Sequence, residues 1–152
     1  MIKYGSFMTP FGPLTVISDN DEIVMLDFCD CVEPGLKQNK DFSNLFQKLS
    51  VYFQGNRVEF DDVKVRMPQN SFRARVFKQV RKLKWGETAT YKDIAEEVGT
   101  SPRAVGMALS KNPVLIIIPC HRVVAENGIG GYSRGVEIKK NLLKLEGHNF
   151  ND

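Results

Sequence analysis

Leu115-Ile116-Ile117-Ile118-Pro119-Cys120-His121-Arg122-Val123-Val124 joins four consecutive aliphatic residues to an abrupt Pro-Cys-His-Arg turn. An apolar run of this length is expected to be buried, as a strand or an extended core segment. Pro119 fixes its own φ and biases Ile118 towards extended geometry, so the direction of the turn is set in advance. A cysteine and a histidine at the end of such a run rest on rigid support. A lone cysteine is more often a buried structural residue, but this context favours a reactive thiol. After the turn comes Asn127-Gly128-Ile129-Gly130-Gly131-Tyr132-Ser133, whose glycines let backbone approach a ligand closely.

Upstream, the pattern is helical. Thr90-x-x-Asp93 is a capping-box signature opening a helix over 91–98. Gly99-Thr100-Ser101 makes a tight turn, and Ser101-Pro102 reads as an N-cap with proline at the first helical position. A second short helix over 103–110 stops at Asn112-Pro113. Two short helices joined by a Gly-containing turn form a helix-turn-helix. Before them, a helix capped near Ser71 buries Phe72, Val76, Phe77, Val80 and Leu83, and carries Arg73, Arg75, Lys78, Arg81 and Lys82 on its other face. Trp85 reads as a core anchor.

The beginning of the chain has a different character. Apolar runs over 2–8, 14–18 and 23–29 are separated by Pro10-Phe11-Gly12-Pro13 and by Asp19-Asn20-Asp21-Glu22, which argues an antiparallel meander. Residues 30–40 read as a loop. Phe42, Leu45, Phe46, Leu49 and Phe53 then recur at three- and four-residue steps, giving a helix that ends at Gly55. Residues 58–65 read as a strand or an extended connector. Met67-Pro68-Gln69-Asn70 is the best boundary. The expectation is an α+β protein with two lobes. An N-terminal α/β lobe over 1–66 holds a three-stranded antiparallel sheet, and a mainly helical lobe over 67–152 holds the helix-turn-helix.

Composition bounds the function. With 152 residues, 42% of them hydrophobic and 26% charged, the chain suits an ordinary globular protein of one or two small lobes. No segment approaches the roughly 20 apolar residues of a membrane span. The N-terminus lacks the signal-peptide pattern, so an intracellular, cytoplasmic protein is expected. Residues 1–60 carry five Lys/Arg against eight Asp/Glu, and residues 61–152 sixteen against ten. The basic half is the one expected to meet a polyanion. Three cysteines are too few for a disulfide framework, and Cys29-x-Cys31 is expected reduced. A metal site from Cys29, Cys31 and His148 is weakly supported, and none is expected.

The last helix, over 136–145, is expected to bury Val136, Leu142, Leu143 and Leu145 and to expose Lys139, Lys140 and Lys144. Gly147 then caps it, and the tail beyond reads as polar and mobile.

Cysteine attacks only as thiolate, so a base must take its proton. His121 is the adjacent candidate. Neighbouring side chains on a turn diverge, which makes a bridging water easier to build than a direct bond. A carboxylate should orient the other ring nitrogen, and Glu146, Glu137 and Glu126 are the candidates. Such a thiol does not reach a base inside a stacked duplex, so the base has to rotate out and the gap has to be filled. Arg103 is long, cationic and well placed to fill it, while Ala104 and Gly106 permit close approach.

These residues resemble a known family. Residues 86–147 closely resemble the alkylguanine-DNA alkyltransferases. Ile118-Pro119-Cys120-His121-Arg122-Val123 carries the resemblance most specifically. It is joined by Tyr91, Arg103-Ala104-Val105-Gly106, Asn112-Pro113, Gly131-Tyr132-Ser133 and Leu145-Glu146-Gly147. The resemblance implies irreversible, single-turnover transfer of an alkyl group from O6 of a flipped-out guanine to Cys120. His121 then acts through a water, Glu146 orients it, Tyr91 supplies a proton to guanine N3, and Asn112 braces the turn. Tyr132, Ser133, Val123 and Pro119 form the pocket, with backbone carbonyls of Cys120 and Val123 selecting guanine. Arg103, Ala104, Gly106, Ser101 and Thr90 are the expected DNA contacts, with the second helix in the minor groove. The partner is duplex DNA bearing alkylated guanine, bound by a monomer associated with the nucleoid, and no cofactor is implied. Met107 and Arg134 depart from the family pattern, each standing where glycine is frequent. The alternatives are a DNA-binding regulator with a buried cysteine, and a cysteine hydrolase.

Overall fold

The computed structural model describes residues 1–31 and 42–150. Strands β1 (Ile2–Thr9), β2 (Gly12–Asp19) and β3 (Glu22–Asp27) form an antiparallel meander in that order, with Phe7 opposite Leu14 and Val16 opposite Leu26. Asn20 and Asp21 both take positive φ, the paired left-handed turn whose twist matches the strands it joins. Helix α1 (Ser43–Phe53) buries Leu45, Leu49, Tyr52 and Phe53, and Phe7 of β1 packs on the rings of Phe46 and Phe53. Each such side chain taken fully from water contributes about 1.5–3 kcal/mol.

Two details differ from the sequence expectation. The third strand ends at Asp27, not at residue 29, because Phe28 and Cys29 bend. The Cys29 amide donates back to Asp27 O at 2.9 Å. That bend leaves the Cα atoms of Cys29 and Cys31 5.3 Å apart, and the two are joined in a disulfide where a reduced pair was expected. The expected loop over 30–40 lies mostly outside the described residues.

The aliphatic run is buried but is not a strand. Val114 makes a single parallel bridge to Leu26, framed by Leu26 N to Pro113 O at 2.9 Å and Leu115 N to Leu26 O at 2.8 Å. The chain then turns on itself, with Ile117 N donating to Leu115 O at 2.8 Å and Ile116 at φ 71°. A β-branched residue in the left-handed region carries backbone strain. All-apolar composition specifies burial here, not extension. By contacts the chain forms two units, Met1–Arg66 with Pro113–Ile117, and Met67–Asn112 with Ile118–Asp152. Residues 113–117, expected in the second lobe, thus group with the first. The stretch over 58–65 is not extended throughout: it turns at 61–63, with Val63 N donating to Phe60 O at 3.1 Å, and makes one bridge, Val65 to Ile23.

The second unit starts with α2 (Ser71–Val80), whose cap is Asn70, not Ser71: the Asn70 side chain accepts from Arg73 N. Val76, Phe77 and Val80 are buried, while Phe72 and Leu83 are half-buried. β4 (Ala89–Thr90) pairs in parallel with β5 (Val123–Val124). Helix α3 (Tyr91–Val98) has the full capping box of Thr90 and Asp93, and α4 (Pro102–Leu109) is capped by Ser101. Ala95 and Val105 are buried, as the expected helix-turn-helix requires. The last helix, α5 (Val136–Leu145), departs from its expected pattern: Lys139 is fully buried, Val136 is exposed and Leu145 is half-buried. The tail is docked as far as Phe150, which packs on Val124, Ile129 and Leu143.

Candidate active site

Cys120 stands on one turn of 3-10 helix, Cys120–Arg122, which Pro119 opens and β5 closes. Pro119 O accepts from Arg122 N at 2.9 Å, and Ile118 O from Cys120 N at 2.8 Å. Asn112, itself buried, donates its Nδ2 to Ile118 O at 2.9 Å and hydrogen-bonds the Cys120 sulfur. Cys120 is 5% exposed, and burial pushes its thiol pKa up to about 11. The resting group is a thiol that needs a base.

His121 is wholly buried, and its Nε2 lies 2.6 Å from Glu146 Oε2. Of the three candidate carboxylates, Glu126 and Glu137 are exposed and only Glu146 reaches the ring. Burial acts to raise the Glu146 pKa. The bond to His121 and the Arg122 guanidinium outweigh it, and the carboxyl is held well below the usual carboxylate range. Burial likewise lowers the His121 pKa, against the pull of Glu146, so the ring is neutral at rest. An ionised carboxylate accepts from Nε2–H, which leaves Nδ1 as the basic atom of the imidazole. Glu146 Oε1 accepts from Arg122 Nε at 2.7 Å and from Gly86 N at 3.2 Å, and Arg122 Nη1 donates to Leu83 O at 2.8 Å.

Lys139 joins this cluster without a signal in the sequence. A lysine on an amphipathic helix reads as solvated, yet Nζ donates to Val123 O at 2.6 Å and to Gly131 O at 2.9 Å. Nζ also lies 5.6 Å from the centre of the Tyr91 ring. Burial brings its pKa down to about 8, while the Cys120 sulfur works the other way. The lysine ties together two carbonyls of the pocket region and places positive charge near the sulfur. No spacing signal distinguishes it from Lys140 or Lys144.

A cavity of about 400 Å³ opens onto Cys120, lined by Tyr91, Gly106, Leu109, Ser110, Gly131, Tyr132 and Ser133. Tyr91, Tyr132 and Ser133, three of the expected site residues, are among its lining. Pro119 and Val123 are buried and do not line it, and Leu109 and Ser110 join unannounced. Tyr91 Oη donates to Gly131 O at 3.4 Å, and burial raises its pKa, so it remains a protonated phenol. A Cβ on Gly130 would stand 2.8 Å from the Tyr91 ring at φ +77°, so only glycine fits behind that ring.

The expected DNA contacts gather on the helix-turn-helix. Arg103 and Ser101 are exposed, while Ala104, Gly106 and Thr90 are half-buried. The Thr90 and Ser101 hydroxyls already accept from Asp93 N and Ala104 N as helix caps. Met107 is 66% exposed on α4.

Residues 71–148 match the DNA binding domain of 6-O-methylguanine DNA methyltransferase, and residues 2–67 match the ribonuclease-like domain of the same protein family. The chain is 67% identical to the methylated-DNA–protein-cysteine methyltransferase of Metallosphaera sedula over 147 residues, covering 97% of this chain and 94% of that one. Mycobacterium tuberculosis O6-methylguanine methyltransferase superposes with a TM-score of 0.84 at 34% identity, covering 96% and 93%. The Mycobacterium tuberculosis OGT structure in complex with DNA gives 0.85 at 34% identity, covering 95% and 92%. With its thiol, histidine and carboxylate in one buried cluster beside a helix-turn-helix, the chain belongs to the 6-O-methylguanine DNA methyltransferase family of DNA-repair methyltransferases.

Proposed function

We propose that the protein takes the alkyl group from O6 of a guanine flipped out of duplex DNA and keeps it on Cys120. The observation that carries this reading is Cys120 at the floor of a cavity, next to a neutral His121 whose Nε2 is held by Glu146. Neutral imidazole accepts the thiol proton at Nδ1 through a bridging water, and the imidazolium so formed pairs with Glu146. The thiolate attacks the alkyl carbon and the C–O6 bond breaks, with its electron pair passing to the guanine. Tyr91 delivers a proton to ring nitrogen N3, so the base leaves neutral. Return of the imidazolium proton to the Tyr91 phenolate through water restores both groups, so the net proton moves from thiol to guanine, and the thioether does not turn over.

In this reading α4 enters the minor groove, Arg103 fills the vacated base stack, and Ala104 and Gly106 bring the helix near the backbone. Ser101 and Thr90 present the caps of both helices to phosphate. Pocket selectivity for guanine rests on the backbone carbonyl of Cys120, since Val123 does not line the cavity and its carbonyl already accepts from Lys139. The protein acts as a monomer and works where the chromosome is. Among the described residues no helix is long and apolar enough to cross a membrane.

The test is methyl acceptance from a duplex containing O6-methylguanine. Cys120→Ser should lose it entirely, and a serine variant that still becomes methylated at the wild-type rate would contradict the assignment. A hydrolase would instead turn over on an ester or amide substrate, with Cys120 regenerated each cycle.

A further inference from the structure

The chain beyond α5 folds back in a specific way. Gly147 N donates to Lys144 O at 3.1 Å and His148 N to Leu143 O at 2.9 Å, the paired bonds of a Schellman helix end. The reversal carries His148 to Gly86, where its Nε2 donates to the carbonyl oxygen at 2.7 Å. Phe150 packs on Val124, Ile129 and Leu143, and its ring centre lies 6.4 Å from that of His148. The other side of the same glycine holds the site: Gly86 N donates to Glu146 Oε1 at 3.2 Å.

Gly86 lies in a turn closed by Glu87 N donating to Lys84 O at 2.9 Å. Its φ of +84° is open to glycine and strained for other residues, and its two flanking peptides carry the two contacts: the N–H of the preceding peptide reaches Glu146, and the carbonyl of the following one is held by His148. A carboxylate turns easily about its last side-chain torsion, which is broad and two-fold. Oε2 must face His121 for the imidazole to keep its tautomer. Arg122 Nε holds Oε1 from one side, and the Gly86 amide is the second donor on that oxygen. With Arg122 and Gly86 on Oε1 and His121 on Oε2, the Gly86 amide adds to the bonds that set the plane of the carboxylate.

We infer that His148 is a positioning residue for alkyl transfer: from the docked tail it grips the Gly86 carbonyl, and so steadies the glycine whose own N–H, on the preceding peptide, helps aim the Glu146 carboxylate at His121. This rests on the role given above to Glu146 and His121, and extends it to a residue outside the pocket.

The experiment is single-turnover methyl transfer from O6-methylguanine duplex by full-length His148→Ala, His148→Gln, Phe150→Ala and Glu146→Gln proteins, and by the His148→Ala/Glu146→Gln double variant. His148→Ala should slow transfer about three- to tenfold, the rate equivalent of one neutral hydrogen bond, with unchanged affinity for undamaged duplex. His148→Gln, whose side-chain amide reaches the same carbonyl, should restore most of the rate. In the Glu146→Gln background His148→Ala should add nothing, because it acts through that carboxylate. Phe150→Ala lowers the melting temperature and separates tail packing from the hydrogen bond. If the alanine variant folds poorly, His148→Asn, whose amide is too short to reach, gives the same contrast with His148→Gln. A full-rate His148→Ala beside a slow Glu146→Gln would overturn the inference alone, as would slowing that multiplies in the double variant. A full-rate Glu146→Gln would overturn the role of Glu146 itself, and the inference with it.

Discussion

The Nζ of Lys139 lies 2.6 Å from the carbonyl oxygen of Val123, inside the core of the second unit and not on its surface. Replacing this group by the similar-sized Met removes two charge-assisted hydrogen bonds and a cation beside the sulfur. Bonds of this kind contribute about 1.5–3 kcal/mol, so Lys139→Met should slow transfer by about 10- to 100-fold. Single-turnover rates at pH 7 measure it, and a variant within twofold of wild type would contradict the role.

The same lysine has a stability signature. Its folded pKa, about 8, lies below the ordinary value of 10.5, so the unfolded chain binds more protons between those pH values. Stability from this group therefore rises with pH across that window, by about 3 kcal/mol in full. The raised Cys120 pKa works in the opposite sense near its own range, so the useful quantity is a difference. Denaturant unfolding at pH 8 and pH 10 should show wild type gaining relative to Lys139→Met.

On the proposed mechanism, His121 sets the acid limb of the reaction. Burial lowers its pKa from 6.5, so the neutral base is present at pH 7 and is lost only as the pH falls below that ordinary value. Transfer should be flat from pH 6.5 to 7.5 and decline in more acid solution. A rate that already halves between pH 7.5 and 6.5 would mean that the imidazole titrates as an exposed one.

Arg103 is exposed at the start of α4 and has no role inside the protein's own core. Arg103→Ala should weaken repair in duplex by tenfold or more if filling the stack offsets a few kcal/mol of base extrusion. Reaction with free O6-methylguanine should change little. Comparing the two substrates checks it, and equal losses would count against base replacement.

Gly106 separates internal fit from external fit. A Cβ there would meet the Tyr91 ring at 3.9 Å, an ordinary contact, so the fold tolerates alanine. Gly106→Ala should raise stability slightly, by about 0.5–1 kcal/mol for an interior helix position, while slowing repair of duplex. Melting temperature and duplex transfer rate together decide it.

Local chemistry explains which parts were readable in advance. Thr90, Asp93, Gly99 and Ser101 act through bonds within a few residues, and their helix-turn-helix is present as read. The meander follows from turn residues spaced between apolar runs. The apolar run before Pro119 was read for burial correctly and for shape wrongly, because an all-apolar stretch has no period to reveal a turn. Long-range partners were harder. Helical periodicity puts Lys139 in solvent, and only the carbonyls of Val123 and Gly131 explain it inside. Residue spacing left three carboxylates open, and contact with His121 selected Glu146. His148 looked like tail until Gly86 supplied its acceptor.

The central claim is that Cys120 itself ends up carrying the alkyl group. The direct measurement is peptide mapping by mass spectrometry after incubation with excess O6-methylguanine duplex. The account predicts a gain of one methylene on the peptide containing Cys120, at one equivalent per protein and no more. An unmodified Cys120 with demethylated DNA, or repeated turnover by one protein molecule, would contradict it.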